Sequence, residues 1–125
     1  MNFLVVDDNR LLNRFLTTYL RDKGHTAHAL TDPTKVKRWL DLNPCDGVIL
    51  DIGMPKIDGV TLLKELRFEF PKLPIVMFTG LGYCENTMAQ CREAGASGYV
   101  SKGLGPAEAY SAIMRAIASK QEARA

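Results

Sequence analysis

Five residues of this chain could act together on a cation or a phosphoryl group: Asp7, Asp8, Asp51, Thr79 and Lys102. Asp51 ends the apolar run Val48-Ile49-Leu50 and is followed by Met54-Pro55 and Asp58-Gly59. The pair Asp7-Asp8 ends a second apolar run, Phe3-Leu4-Val5-Val6. Thr79 follows Ile75-Val76-Met77-Phe78, and Lys102 follows the run from Ser97 to Ser101. Carboxylates that converge repel one another, and that repulsion favours a hard divalent cation among them. A carboxylate beside such a cation is a candidate phosphoryl acceptor.

That chemistry requires distant segments to meet. Continuous apolar runs read as buried strands, so Phe3–Val6, Gly47–Leu50 and Ile75–Phe78 are expected strands, and the short segment Ser97–Ser101 is the expected fifth. His25–Leu30 is a more polar strand, expected at a sheet edge. Helical periodicity fills the intervals. A first helix is expected from about Asn9 to Lys23, with Leu12, Phe15, Leu16, Tyr19 and Leu20 on its apolar face and Gly24 closing it. Asp32-Pro33 predicts a second helix start, with Val36, Trp39, Leu40 and Leu42 apolar, ending at Asn43-Pro44. Further helices are expected from Asp58 to Phe68, from Tyr83 to Ala94 before Gly95, and from Pro106 to about Lys120. Gln121 to Ala125 reads as a frayed tail or the start of a linker, leaving 1–120 as one domain.

Strands alternating with helices predict a parallel sheet with helices on both faces, joined by right-handed crossovers. Asp7, Asp8, Asp51, Thr79 and Lys102 all fall just after strand ends. They converge if the strands lie in the flavodoxin-like order 2-1-3-4-5, which places sites at the carboxyl ends of the strands. The expected fold is therefore an α/β three-layer (βα)5 sandwich around a five-stranded parallel sheet.

Size and composition narrow the function classes. A chain of 125 residues can bury a core without disulfide or metal staples. Its net charge of +2 gives no reason to expect nucleic-acid binding. No apolar stretch approaches the roughly 20 residues of a spanning helix, and the apolar start stops at Asp7, too early for a signal peptide. Cys45, Cys84 and Cys91 are an odd set with no C-x-x-C pair, which suits reduced thiols in the cytoplasm.

Taken one at a time, these residues have blander roles. Asp7 or Asp8 alone would cap a helix, and Asp58 is expected only to cap. Tyr99 alone would be a half-buried strand aromatic. His25 and His28 are expected at the surface, Trp39 in the core, and Cys84 and Cys91 as buried thiols on a helix. The five site residues stand out because they share one placement at strand ends.

At this point the chain resembles the receiver domains of two-component response regulators. The acidic pair is Asp7-Asp8, and the acceptor motif D-x-x-M-P-x-x-D-G is Asp51, Met54, Pro55, Asp58 and Gly59. The hydroxyl residue is Thr79, followed by the small Gly80; the strand-five aromatic is Tyr99, and the lysine after it is Lys102. The pieces occur in order across essentially the whole chain. Two positions vary. Gly103 stands where many receivers have proline, so a trans bond is expected, because a cis bond without proline costs about 2.5–4 kcal/mol. Gly103 and Gly105 are expected to loosen that loop. Gly53, two after the acceptor, offers only its backbone.

The resemblance implies a phosphoacceptor domain rather than an enzyme, with Asp51 as the nucleophile. It implies Mg²⁺ held by Asp8, Asp51 and the Gly53 carbonyl, with Asp7 acting through water. Lys102 and the Thr79 hydroxyl would each meet a phosphoryl oxygen, and Gly80 would let the backbone approach. Thr79 and Tyr99 would be the switch pair, acting on a surface of helix four, strand five and helix five. The implied donor is a sensor histidine kinase or a histidine phosphotransfer protein, with Leu11 as a candidate docking contact. The implied output is a downstream effector protein or a fused output domain. Three other readings compete: a receiver that signals without phosphorylation, a phosphatase of the haloacid dehalogenase type, and a flavodoxin or nucleotide binder. The phosphatase would need an aspartate where Gly53 stands. The binder would need a phosphate-cradling loop where Asp7-Asp8 would repel phosphate.

Overall fold

The computed structural model describes residues 1–54, 57–80 and 84–124. Pro55 of the acceptor motif, Tyr83 at the expected start of the fourth helix, and Ala125 lie outside the described residues.

Five short strands carry the apolar runs: β1 (Asn2–Val6), β2 (Thr26–Leu30), β3 (Gly47–Leu50), β4 (Ile75–Thr79) and β5 (Gly98–Ser101). All pairings are parallel and the order is β2-β1-β3-β4-β5. The polar strand β2 lies at one edge, and β3 and β4 occupy the interior, where every residue is buried. Strand periodicity sorts their side chains onto two faces. Leu4, Val6, Val48, Leu50, Ile75 and Met77 belong to one core, against the helices α2 (Val36–Leu42), α3 (Gly59–Glu69) and α4 (Glu85–Ala94). Phe3, Val5, Ile49, Val76 and Phe78 belong to the other, against α1 (Arg10–Asp22) and α5 (Pro106–Arg124). This is the expected three-layer α/β sandwich.

Helix ends follow local chemistry. Asn9 caps α1 by accepting from the Leu12 amide, and Asp58 caps α3 by accepting from the Val60 amide. Asp32 caps a 3₁₀ turn (Pro33–Lys35) that precedes the short α2. Gly95 closes α4 at a φ of 103°, which favours glycine.

Several helical faces differ from expectation. The buried stripe of α1 is Asn13, Leu16, Thr17 and Leu20, while Phe15 is 59% exposed. The stripe is turned toward two polar residues because their hydroxyl and amide groups find backbone partners inside. Leu42 ends the two-turn α2 and is exposed; Trp39 is half-buried, stacked on His28. Cys84 precedes α4 and is exposed, whereas Cys91 is buried. His25 is more than a surface group: its ring contacts Phe3 edge-on and its Nε2 pairs with the Tyr110 hydroxyl at 3.0 Å. Helix α5 runs to Arg124, four residues past the expected end.

Candidate functional site

Parallel strands end together, so β1, β3, β4 and β5 deliver their last residues to one edge. Asp7 leaves β1, where its amide donates to the Leu30 carbonyl at 3.2 Å. Asp51 leaves β3, where its amide donates to the Val6 carbonyl at 2.9 Å. Thr79 closes β4 and pairs in register with Ser101, directly before Lys102. Asp7, Asp51 and Thr79 are all at least 95% buried, a costly setting for two carboxylates.

The ammonium of Lys102 answers that cost. Its Nζ lies 2.7 Å from Asp7 Oδ2 and 3.3 Å from Asp51 Oδ1. Carboxylate oxygens of Asp7, Asp8 and Asp51 lie within 4.8 Å of one another, with Asp8 exposed at the mouth. Three hard oxygen donors at that spacing, open on the Asp8 side, fit a small divalent cation such as Mg²⁺. Burial raises the pKa of Asp7, and the Asp51 charge adds to this; the Lys102 ammonium and the Asn9 amide oppose it without cancelling it. Burial alone would lower the pKa of Lys102. The hydrogen bond to Asp7 and the charges of Asp51 and Asp7 outweigh burial, and the Lys102 pKa is raised. The ammonium is thus fixed as a cation in the cluster.

Backbone geometry holds the acceptor segment. A Cβ on Gly59 would lie 2.5 Å from Ile52 Cα and closer still to the Asp51 carbonyl oxygen, so only glycine permits α3 to start there. The Gly59 amide also donates to the Ile52 carbonyl at 2.9 Å. Gly80 is different. A Cβ there would lie 3.9 Å from Lys102 Cδ, an ordinary contact among the described residues. Gly53 has open space around it, with nothing within 4 Å of an added Cβ.

Lys102 itself stands on a 3₁₀ turn (Lys102–Leu104). The Ser101 hydroxyl accepts from the Gly103 amide at 3.3 Å, and Gly105 has a φ of 84°. The positive φ at Gly105 ends that turn in a conformation that favours glycine. No peptide bond is cis among the described residues, Lys102–Gly103 included.

Asn13 is a residue that sequence reasoning passed over. Its Nδ2 donates to the Asp7 carbonyl at 2.7 Å from inside the core, and the Thr17 hydroxyl donates back to the Asn13 carbonyl at 2.8 Å. The Asn9 amide donates to Asp7 Oδ1 at 2.9 Å. The acidic pair is thus pinned from α1. The only sequence signal was two polar residues, Asn13 and Thr17, spaced by one helical turn. Tyr99 is half-buried against the core on the α4 side, in register with Met77. Leu11 is 62% exposed on the first turn of α1.

Comparison with known proteins agrees with this geometry. The family described as the response regulator receiver domain matches residues 3–114. The virulence transcriptional regulatory protein PhoP of Salmonella typhimurium is 32% identical over 102 residues, covering 82% of this chain and 45% of that protein. The BeF3-activated receiver domain of Klebsiella pneumoniae RstA superposes with a TM-score of 0.85 at 26% identity, covering 94% of this chain and 98% of that one. A CheY-like receiver from Methanospirillum hungatei superposes with a TM-score of 0.89 at 19% identity, covering 97% and 96%, a likeness of fold. The chain spans less than half the length of the curated relatives it matches. Sequence profile, sheet order and the acidic cluster agree, and the chain belongs to the receiver domains of two-component response regulators, which are regulatory modules rather than classical enzymes.

Proposed function

We propose that Asp51 accepts a phosphoryl group from a phosphohistidine on a sensor histidine kinase or phosphotransfer protein. The observation that carries this reading is the cluster itself: Asp7, Asp8 and Asp51 oxygens within 4.8 Å, with the Lys102 ammonium 3.3 Å from the Asp51 carboxylate. An Asp51 oxygen attacks phosphorus, the P–N bond to the donor imidazole breaks, and its electron pair stays on nitrogen. Little covalent work falls to the protein in such transfers; positioning and charge stabilisation dominate. Lys102 moves from neutralising carboxylates to meeting a phosphoryl oxygen. The Thr79 hydroxyl donates to another. Asp7, Asp8, Asp51 and the Gly53 carbonyl would hold Mg²⁺, which supplies positive charge against carboxylate repulsion and phosphoryl oxygens. Asn13 and Asn9 keep the acidic pair in place through Asp7.

Phosphorylation then shifts a two-state surface of α4, β5 and α5, with Thr79 and Tyr99 as the moving pair. The phosphoryl group must bind one state better than the other to do so. A fused output domain is the favoured recipient of the signal, because the PhoP relatives extend well beyond the matched segment. The setting is cytoplasmic; among the described residues no helix is long and apolar enough to cross a membrane. Intact-mass measurement after acetyl phosphate and Mg²⁺ tests the core of this reading. One phosphoryl adduct is expected on the wild type and none on Asp51→Asn; an adduct on both, or on neither, would overturn it.

A further inference from the structure

The described acceptor cluster lies at the ends of β1, β3 and β5. A separate cleft of about 400 Å³ opens between α1 and the turn that follows β2. Its walls carry Arg10 and Arg14, one helical turn apart on α1, and Lys35 across from them on the 3₁₀ turn. All three cations are exposed, and Asp32 is the one carboxylate in the lining. Asp32 is engaged locally, accepting from the Thr34 amide at 3.0 Å and the Thr34 hydroxyl at 2.6 Å. The cleft therefore carries an excess of positive charge that suits a dianion. Two guanidiniums and an ammonium around one concavity match the oxygens of a phosphate group better than a single carboxylate.

A second observation comes from Asn13, which also lines the cleft. Its Nδ2 is committed to the Asp7 carbonyl, which fixes the orientation of the amide. Its Oδ1 is buried and has no hydrogen-bond partner. Buried amide oxygens are ordinarily satisfied, so an orphan beside a charged cleft marks a place for a donor. A ligand carrying a phosphate dianion and a nearby hydroxyl or N–H would meet both needs. The size of the cleft suits a small organic molecule rather than a bare ion.

We propose that the cleft between α1 and the β2–α2 turn binds a small phosphomonoester, its phosphate among Arg10, Arg14 and Lys35 and a hydroxyl or N–H donor toward Asn13. The site is distinct from the acceptor cluster, none of whose residues line it. It is joined to that cluster through a single side chain, because the amide that would receive the donor is the one that holds Asp7. Occupancy would therefore stiffen the segment that carries the acidic pair.

Two-dimensional ¹H–¹⁵N NMR of the chain, in EDTA to keep metal from the acceptor site, tests the proposal with ribose 5-phosphate, inorganic phosphate and ribose as probes. Ribose 5-phosphate should shift the Asn13 side-chain amide and the Thr17 and Thr31 amides saturably, with half-saturation at about 1 mM or below. Inorganic phosphate should bind more weakly at the same residues, and ribose should not bind. Arg14→Gln and Lys35→Gln, both at exposed positions, should each weaken binding roughly tenfold. Shifts that do not saturate, or wild-type affinity in both variants, would overturn the site. Inorganic phosphate binding as tightly as ribose 5-phosphate would remove the role given to Asn13.

Discussion

The two ends of the sheet solve the problem of polar groups in opposite ways. At the carboxyl end, Asp7 and Asp51 are buried side by side with one ammonium between them. At the amino end, the polar groups close on one another. The Met1 ammonium lies 3.1 Å from His25 Nδ1, and His25 Nε2 pairs with Tyr110. The Asn2 amide donates to Asp46 at 2.7 Å. One end holds more negative charge than its partners neutralise; the other is satisfied locally. Substitutions at the first end should change phosphorylation most, and substitutions at the second should change stability alone.

The sharpest way to break that contrast is Lys102→Ala. Loss of one charge-stabilising donor costs about 10²–10³-fold in comparable sites, so phosphorylation by acetyl phosphate, followed by intact mass over time, should slow by that factor. An unchanged rate would remove Lys102 from the chemistry. The thiols give a second contrast of about a hundredfold. Cys84, exposed beyond β4, has its pKa lowered chiefly by the Thr87 amide. Cys45, before β3, is pushed up to about 11 by burial. At pH 8 iodoacetamide should therefore alkylate Cys84 about a hundred times faster than Cys45, as peptide mapping would show.

Gly59→Ala tests whether the acceptor end also carries structural weight. Its methyl would press on the Asp51–Ile52 backbone, and overpacking of that kind should cost about 3 kcal/mol in urea denaturation. At the other end, Tyr110→Phe should cost about 1 kcal/mol and leave phosphorylation untouched. Burial chiefly, and then the N-terminal ammonium, lowers the pKa of His25 below 6.5. The unfolded chain therefore takes up that proton first as pH falls, so stability is full above about pH 6.5 and declines below it. Denaturation curves of His25→Gln should show a smaller loss between pH 7 and pH 5.

Much of the fold was legible because buried parallel strands read as unbroken apolar runs, and β3 and β4 were the plainest of them. Strand order followed from chemistry: Asp7, Asp51 and Lys102 meet only if β1, β3 and β5 end at one edge. Helical faces were harder. Periodicity finds an apolar stripe but cannot see that a buried amide nitrogen has a carbonyl to meet across the fold, so Asn13 was passed over and Phe15 was placed inside. Leu42 failed for another reason; α2 has only two turns, too few to define a face. Gly59 was recognised as part of a motif, but its reason, contact with the Asp51–Ile52 backbone, lies between segments and leaves no local trace.

That same contact makes the acceptor mechanically lopsided. On the α3 side, backbone touches backbone at Gly59, and nothing can give without moving a whole helix. On the β4–β5 side, Lys102 meets Asp51 with the tip of a long, jointed arm. A disturbance at its oxygens therefore meets a wall in one direction and slack in the other, and it will travel toward the slack.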